Sequence, residues 1–239
     1  MASHETPLQI IQRGGVKFTL SILSPMNRPA KPYMPQQEIE IKIDLQNEAI
    51  YRQLLRYFAQ KSDEIRQENY FFDTDDWKLA DSGWALRIRL EKDKAELTAK
   101  GPSEIITENM VIRPELTAYL SSAKASKFIK RGFLFSDIED SAISDVLKLY
   151  TSFNVANCRV QFINYRIEAA FTSDDSTLNF EIDRTIFADG STDYELEVEL
   201  GERSHYDGAI KKISELFLTL GIPLVFQKKS KFARALDKL

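Results

Sequence analysis

Residues 38 to 42 read Glu38-Ile39-Glu40-Ile41-Lys42, an alternation of charged and β-branched side chains. Successive side chains of a β-strand point to opposite faces, so Glu38, Glu40 and Lys42 share one surface while Ile39, Ile41 and Ile43 share the other. The same split recurs along the chain. Arg87, Arg89 and Glu91 oppose Leu86, Ile88 and Leu90, and Glu96, Thr98 and Lys100 oppose Leu97 and Ala99. Asn164, Arg166 and Glu168 oppose Tyr165, Ile167 and Ala169; Glu181 and Asp183 oppose Phe180 and Ile182; Glu195, Glu197 and Glu199 oppose Leu196, Val198 and Leu200.

An antiparallel sheet with one wet face also alternates, but its polar side needs no order of sign. Here the strands are sorted: acidic at 38 to 40 and 195 to 199, basic at 87 to 89. Like charges two residues apart on one strand face repel, so they imply compensation by a facing strand or by a ligand of opposite sign. The architecture that meets this requirement is a closed barrel, apolar outside under helices and polar within, wide enough for a ligand. Arginine forks and lysine point charges clamp phosphate oxygens, and paired carboxylates hold hard divalent cations that bridge phosphates. An interior carrying both suits a polyphosphate with bound metal.

Composition narrows the field. The 239 residues contain 32 Lys+Arg against 36 Asp+Glu, a net charge of −4, and 43% hydrophobic residues, enough to bury a core. The lack of a bulk basic excess argues against a general nucleic-acid binder. No apolar run is long enough for a membrane span and no signal peptide is evident in residues 1 to 35, so the expectation is a cytoplasmic protein with no membrane partner. Cys158 is the one cysteine and His4 and His205 the two histidines, which excludes a disulfide framework and disfavours thiolate zinc sites and a Ser-His-Asp triad. A metal here would be held by carboxylates, favouring Mg²⁺, Mn²⁺ or Ca²⁺ over zinc.

The stretch to about Gln37 is interrupted by Pro7, Gly14, Gly15, Pro25, Pro29, Pro32 and Pro35 and reads as an N-terminal extension over 1–35, with one short strand near Val16 to Ile22. Strands are expected at 37–45, 68–74, 83–91, 94–100, 105–113, 129–135, 158–171, 177–187 and 192–201. Helices are expected at 47–61, at 115–127 from the spacing of Leu116, Tyr119 and Leu120, at 140–150, at 205–220 with Ser204 as N-cap and Gly221 as stop, and from Ser230 to Leu239.

Glu38-Ile39-Glu40-Ile41-Lys42 resembles the ExExK signature of the CYTH superfamily, the triphosphate tunnel metalloenzymes. Asn69-Tyr70-Phe71-Phe72-Asp73-Thr74 is similar to the family's YFDT strand, Ala85-Leu86-Arg87-Ile88-Arg89 to its ALRIR strand, and Leu97-Thr98-Ala99-Lys100 to the strand ending in a phosphate-binding lysine. Arg113-Pro114-Glu115 resembles an RxE element, Phe180-Glu181-Ile182-Asp183-Arg184 the ExD strand, Tyr194 to Glu199 the acidic strand, and Ser230-Lys231-Phe232 with Arg234 the C-terminal SK element. The resemblance covers roughly residues 36 to 236.

It implies an α+β fold: an eight-stranded antiparallel β-barrel with helices packed outside, forming a tunnel open at both ends, within a domain over 36–239. It implies metal-binding carboxylates at Glu38, Glu40, Glu197 and Glu199, with Glu195 on the same face. Phosphate contacts fall to Lys42, Arg87, Arg89, Lys100, Arg113, Arg166 and Lys231, and catalysis to Glu38, Glu40 and Lys42. Asn164 departs from the family, where many members carry a lysine two residues before the residue matching Arg166. The implied activity is Mg²⁺- or Mn²⁺-assisted hydrolysis of a small-molecule triphosphate, inorganic triphosphate foremost. Thiamine triphosphatase, class IV adenylate cyclase and a non-catalytic polyphosphate-binding module are the rivals.

Overall fold

A computed structural model describes residues 36–107, 110–150, 155–173 and 176–239. The expected extension over 1–35 and its short strand lie outside them. Among the described residues the strands are β1 (Gln36–Asp44), β2 (Ile65–Asp73), β3 (Ala85–Glu91), β4 (Lys94–Lys100), β5 (Glu104–Thr107), β6 (Met110–Leu120), β7 (Phe133–Leu134), β8 (Val155–Ser173), β9 (Ser176–Phe187) and β10 (Thr192–Glu199). The helices are α1 (Glu48–Tyr57), α2 (Lys78–Asp81), α3 (Ser122–Arg131), α4 (Ser141–Tyr150), α5 (Tyr206–Leu220) and α6 (Lys231–Leu236). None is long and apolar enough to cross a membrane.

Eight strands close on themselves in the order β1-β10-β9-β8-β2-β3-β4-β6 and back to β1, each pairing antiparallel. β6 makes the closure. Its first half pairs with β1, setting Arg113 opposite Glu38, and its second half with β4, setting Glu115 opposite Lys100. β5 adds to the first half of β6, and the two-residue β7 pairs with β8 outside the ring.

The apolar parity faces out, under the helices. Ile39, Ile41, Ile43, Phe180, Ile182, Leu196 and Val198 pack with Tyr51 and Leu54 of α1 and with Ile213, Leu216 and Phe217 of α5. Across the barrel, Phe72, Leu86, Ile88, Leu97 and Ala99 meet Leu79 of α2, Ala125 and Phe128 of α3, and Ile143 and Leu147 of α4. Removing this area from water supplies the main driving force. The polar parity is left inside, where Glu40, Lys42, Arg87, Asn164, Arg166, Asp183, Glu195 and Glu197 are all buried.

Three expectations are corrected. Residues 115–120 continue β6 rather than form a helix: Leu116, Ala118 and Leu120 alternate with Glu115, Thr117 and Tyr119, and pairing with β4 takes the period-2 pattern over the helical spacing. Helix α3 starts after Ser121, whose side chain accepts from the Lys124 N–H. It takes residues 129–131 of the expected strand 129–135 and stops at Gly132, φ 68°, which leaves Phe133–Leu134 of that stretch as β7. The N-cap of α5 is His205 without a side-chain cap, and Ser204 instead donates to Glu202. Gly221 ends α5 in the left-handed region, as the sequence implies, and Ser230, expected as the first residue of the last helix, is the N-cap of α6.

Helix α6 differs from the other five. Phe71, Phe162 and Phe187 share the inward parity, and Phe232 stacks on Phe71 with ring centroids 4.6 Å apart, while Ala235 and Leu236 join the cluster. The C-terminal helix therefore packs its apolar side on the inward-facing aromatic residues of the barrel. Asp73 is structural: its carboxylate accepts the backbone N–H groups of Thr74, Leu79 and Ala80 and fixes α2.

Candidate active site

Two groups of ion pairs occupy the polar interior. In the first, Glu38 accepts from Lys100 Nζ at 2.5 Å and from Arg113 Nε at 2.6 Å. Arg113 also reaches Glu40 at 3.3 Å, and Lys100 pairs with Glu115 at 2.8 Å. Burial opposes ionisation of Glu38, but Lys100 and Arg113 outweigh it and hold the carboxyl well below the usual range. Burial, with Arg113 and Arg87 nearby, pushes Lys100 down despite Glu38. Glu199 lies opposite Glu40 in the β1/β10 register and is exposed. No cation pairs with it among the described residues, and partial burial with Glu38 and Glu115 nearby pushes its carboxyl up.

The second group is deeper. Glu197 accepts from Lys42 at 3.0 Å and Arg166 at 2.7 Å, and pairs with Lys231 at 2.9 Å. Arg166 sets its fork on Asp183 at 2.9 and 2.6 Å and also pairs with Glu181, while Lys231 pairs with Asp183 at 2.9 Å and Glu195 at 2.8 Å. Burial alone would neutralise these groups. Instead Lys231, Lys42 and Arg166 keep Glu197 ionised, and Glu197 and then Glu40, 2.9 Å away, keep Lys42 charged against its burial. Glu181 is the exception: burial, Glu197 and Asp183 push it up to about 7 even with Arg166 in contact.

The basic wall comes from β3. Arg87 reaches Glu96 and Thr98, each at 3.3 Å. Arg89 donates Nε to Asn69 Oδ1 at 3.0 Å, and among the described residues no carboxylate pairs with it. Lost hydration, with Arg87 and Arg166 nearby, pushes Arg89 down to about 9. Asn164, the departure noted in the sequence, is held in a neutral relay. Thr185 donates to Asn164 Oδ1 at 2.8 Å, Asn164 Nδ2 to Gln67 Oε1 at 3.0 Å, and Gln67 Nε2 to Glu91 at 2.9 Å.

The structure thus brings Glu38, Glu40, Lys100, Arg113 and Glu199 together, and Arg166, Glu197 and Lys231 together, with Lys42 joining the two groups through Glu40 and Glu197 and Arg87 and Arg89 on the wall beside them. Among the described residues no three carboxylates converge at ligand spacing, because lysines and arginines stand between them. Sequence reasoning gives no role to Gln67, which precedes the expected strand 68–74, to Asn69, an uncharged residue within it, or to Arg234, which it places in the C-terminal SK element without a partner. Arg234 is in fact buried on Glu195 at 2.8 Å. Asp183 lies on the charged face the alternation assigns it, whereas Glu115 faces inward only because residues 115–120 continue β6 rather than form the expected helix.

Comparison with known proteins agrees with the barrel fold. A candidate adenylyl cyclase from Hippeastrum, described as having a dominant triphosphatase activity, is 24% identical with a TM-score of 0.71, over 84% of this chain and 96% of that one. A candidate adenylate cyclase from Bacillus halodurans is 23% identical with a TM-score of 0.62, over 83% and 97%. A Pyrococcus horikoshii protein is 16% identical with a TM-score of 0.50, over 84% and 99%. At these identities the likeness speaks to the fold. No curated protein matches the sequence. The CYTH domain matches residues 36–235, and the chain belongs to the CYTH family.

Proposed function

We propose that this chain hydrolyses inorganic triphosphate within its barrel with the help of Mg²⁺ or Mn²⁺. The observation that carries the reading is Arg89, a guanidinium held by Asn69 and paired with no carboxylate among the described residues, with Arg87 and Arg166 nearby. Such a group is costly unless an anion arrives. Phosphate oxygens answer that need, and Arg87, Lys100, Arg113, Arg166, Lys42 and Lys231 line the same interior.

The donor set fits a hard divalent cation. Glu38, Glu40, Glu115 and Glu199 supply oxygen alone, and together they outnumber Lys42, Lys100 and Arg113, the cations paired with them; burial first, then Glu38 and Glu115, pushes the Glu199 carboxyl up. Glu38, Glu40 and Glu199 would hold the cation, with Glu197 behind them on the same face of β10. A bound divalent cation supplies charge neutralisation and a water of lowered pKa.

The protein's own part is an exchange of partners. As phosphate oxygens enter, Lys100 and Arg113 leave Glu38 and Glu40 for the anion, which uncovers those carboxylates. Lys42 stays protonated between Glu40 and Glu197, so it stabilises charge on the transferring group and the leaving diphosphate rather than moving a proton. No nucleophilic side chain is required.

The test is product release from inorganic triphosphate, thiamine triphosphate and ATP with Mg²⁺ or Mn²⁺, with cyclic AMP measured in the ATP reaction. The highest kcat/KM is expected for phosphate release from inorganic triphosphate. Cyclic AMP as the dominant ATP product would assign a cyclase instead, and binding without turnover of any of the three would leave a binding module.

A further inference from the structure

Helix α6 has six residues, too few to form in isolation, so its place depends on tertiary contacts. Lys231 and Arg234 lie three apart and both face Glu195. Arg234 places one guanidinium nitrogen 2.8 Å from Glu195 Oε2 and another 3.0 Å from Asp193, and donates to the Lys229 carbonyl at 2.8 Å. Lys231 Nζ lies 2.8 Å from that same Oε2 of Glu195, and 2.9 Å from both Asp183 and Glu197. One oxygen of a buried carboxylate is therefore shared by a rigid fork and a flexible point charge.

The sharing has a physical consequence. A buried carboxylate stripped of its cation costs several kcal/mol. Were Lys231 the sole partner of Glu195, moving its ammonium onto a phosphate would incur that cost. Arg234 stays on Glu195 while Lys231 leaves, so the transfer strands no charge there. Asp183 keeps Arg166, and Glu197 keeps Lys42 and Arg166.

We propose that Arg234 is a positioning residue that neutralises Glu195 so that Lys231 is free to bind the substrate's phosphate, and that Glu195 serves the docking of α6 rather than the metal. The inference rests on Lys231 being a phosphate ligand, as read above. It separates the three glutamates of β10 by role: Glu199 at the carboxylate-rich group, Glu197 in the centre, Glu195 at the helix.

The test is a rescue. Affinity for inorganic triphosphate is measured by calorimetry on metal-free full-length protein, for wild type, Arg234→Gln, and Arg234→Gln combined with Glu195→Gln, with thermal unfolding followed alongside. Arg234→Gln should weaken binding by about ten-fold, the equivalent of one charge-assisted contact. Adding Glu195→Gln should restore it, because Lys231 no longer has a carboxylate there to neutralise. A double variant that binds as weakly as Arg234→Gln, or more weakly, would overturn the proposal, since a purely structural Arg234 gives that result. Glu195→Gln alone should bind no more weakly than wild type; a ten-fold loss would place Glu195 in the binding machinery and also overturn it. That arm decides the question if Arg234→Gln fails to fold. A wild-type protein that binds no triphosphate would remove the phosphate reading itself, and this inference with it.

Discussion

A guanidinium that loses water without gaining a carboxylate weakens the fold that holds it, and among the described residues Arg89 is so placed. Arg89→Met keeps the bulk of the side chain and removes the charge, so the thermal midpoint without ligand should stay level or rise. Triphosphate affinity should fall at least about ten-fold, since a hydrogen bond to a charged group contributes about 1.5–3 kcal/mol. Paired calorimetry and thermal unfolding check both, and a variant that is less stable yet binds normally would contradict the reading. Glu181 gives the second residue-level prediction. Burial, Glu197 and Asp183 hold its proton up to about 7, against 4.5 for an ordinary glutamate. The folded state therefore binds this proton at pH values where the unfolded chain has released it, and stability falls as pH rises between about 5 and 7.5. Glu181→Gln should flatten that fall in ligand-free protein. Thermal midpoints across the interval are the measurement, and an unchanged slope would count against it.

Among the elements, the join between α3 and β7 depends on a single glycine. Gly132 sits at φ 68° and ψ −176°, and a Cβ there would meet Asn157 Oδ1 and lie 2.6 Å from the Ala156 carbonyl oxygen. Gly132→Ala should cost about 1–3 kcal/mol in urea unfolding, the range for such backbone strain. Triphosphate affinity should be unchanged, because this join lies outside the barrel. The barrel strands themselves were legible because period-2 alternation survives in any strand with one apolar face: β1, β3, β4 and β10 fall within a residue or two of the expected limits. The second half of β6 was not, because Leu116, Tyr119 and Leu120 satisfy a helical spacing as well as a strand, and only closure onto β4 decides between them. The inward placement of α6 was hidden for a related reason. Its partners Glu195, Asp183 and Phe71 are remote in sequence, and a lysine on a short terminal helix reads the same whether it meets water or carboxylates. Sign sorting located the glutamates of β10 but could not divide them, because their roles follow from Lys42, Arg234 and the Glu38 group rather than from their own strand.

Over the whole molecule, 32 basic and 36 acidic residues nearly cancel, and many of the charges that matter cancel inside the barrel. Breaking a buried pair is costly, yet an entering ligand that replaces one partner by another of the same sign preserves the pairing. Triphosphate should therefore raise the thermal midpoint by mass action, with about 2.7 kcal/mol of added stability at a ligand concentration 100 times Kd. Differential scanning fluorimetry against ligand concentration checks this, and a midpoint indifferent to triphosphate would indicate an interior that only holds itself together. The central claim, that the inward carboxylates serve metal-dependent triphosphate hydrolysis, is tested most directly at Glu40, which faces both Lys42 and Arg113. The measurement is phosphate release from inorganic triphosphate by wild type and Glu40→Gln over a Mg²⁺ and a Mn²⁺ titration. Metal-dependent release by wild type and its loss in Glu40→Gln is the predicted result; turnover unchanged by the substitution would contradict it.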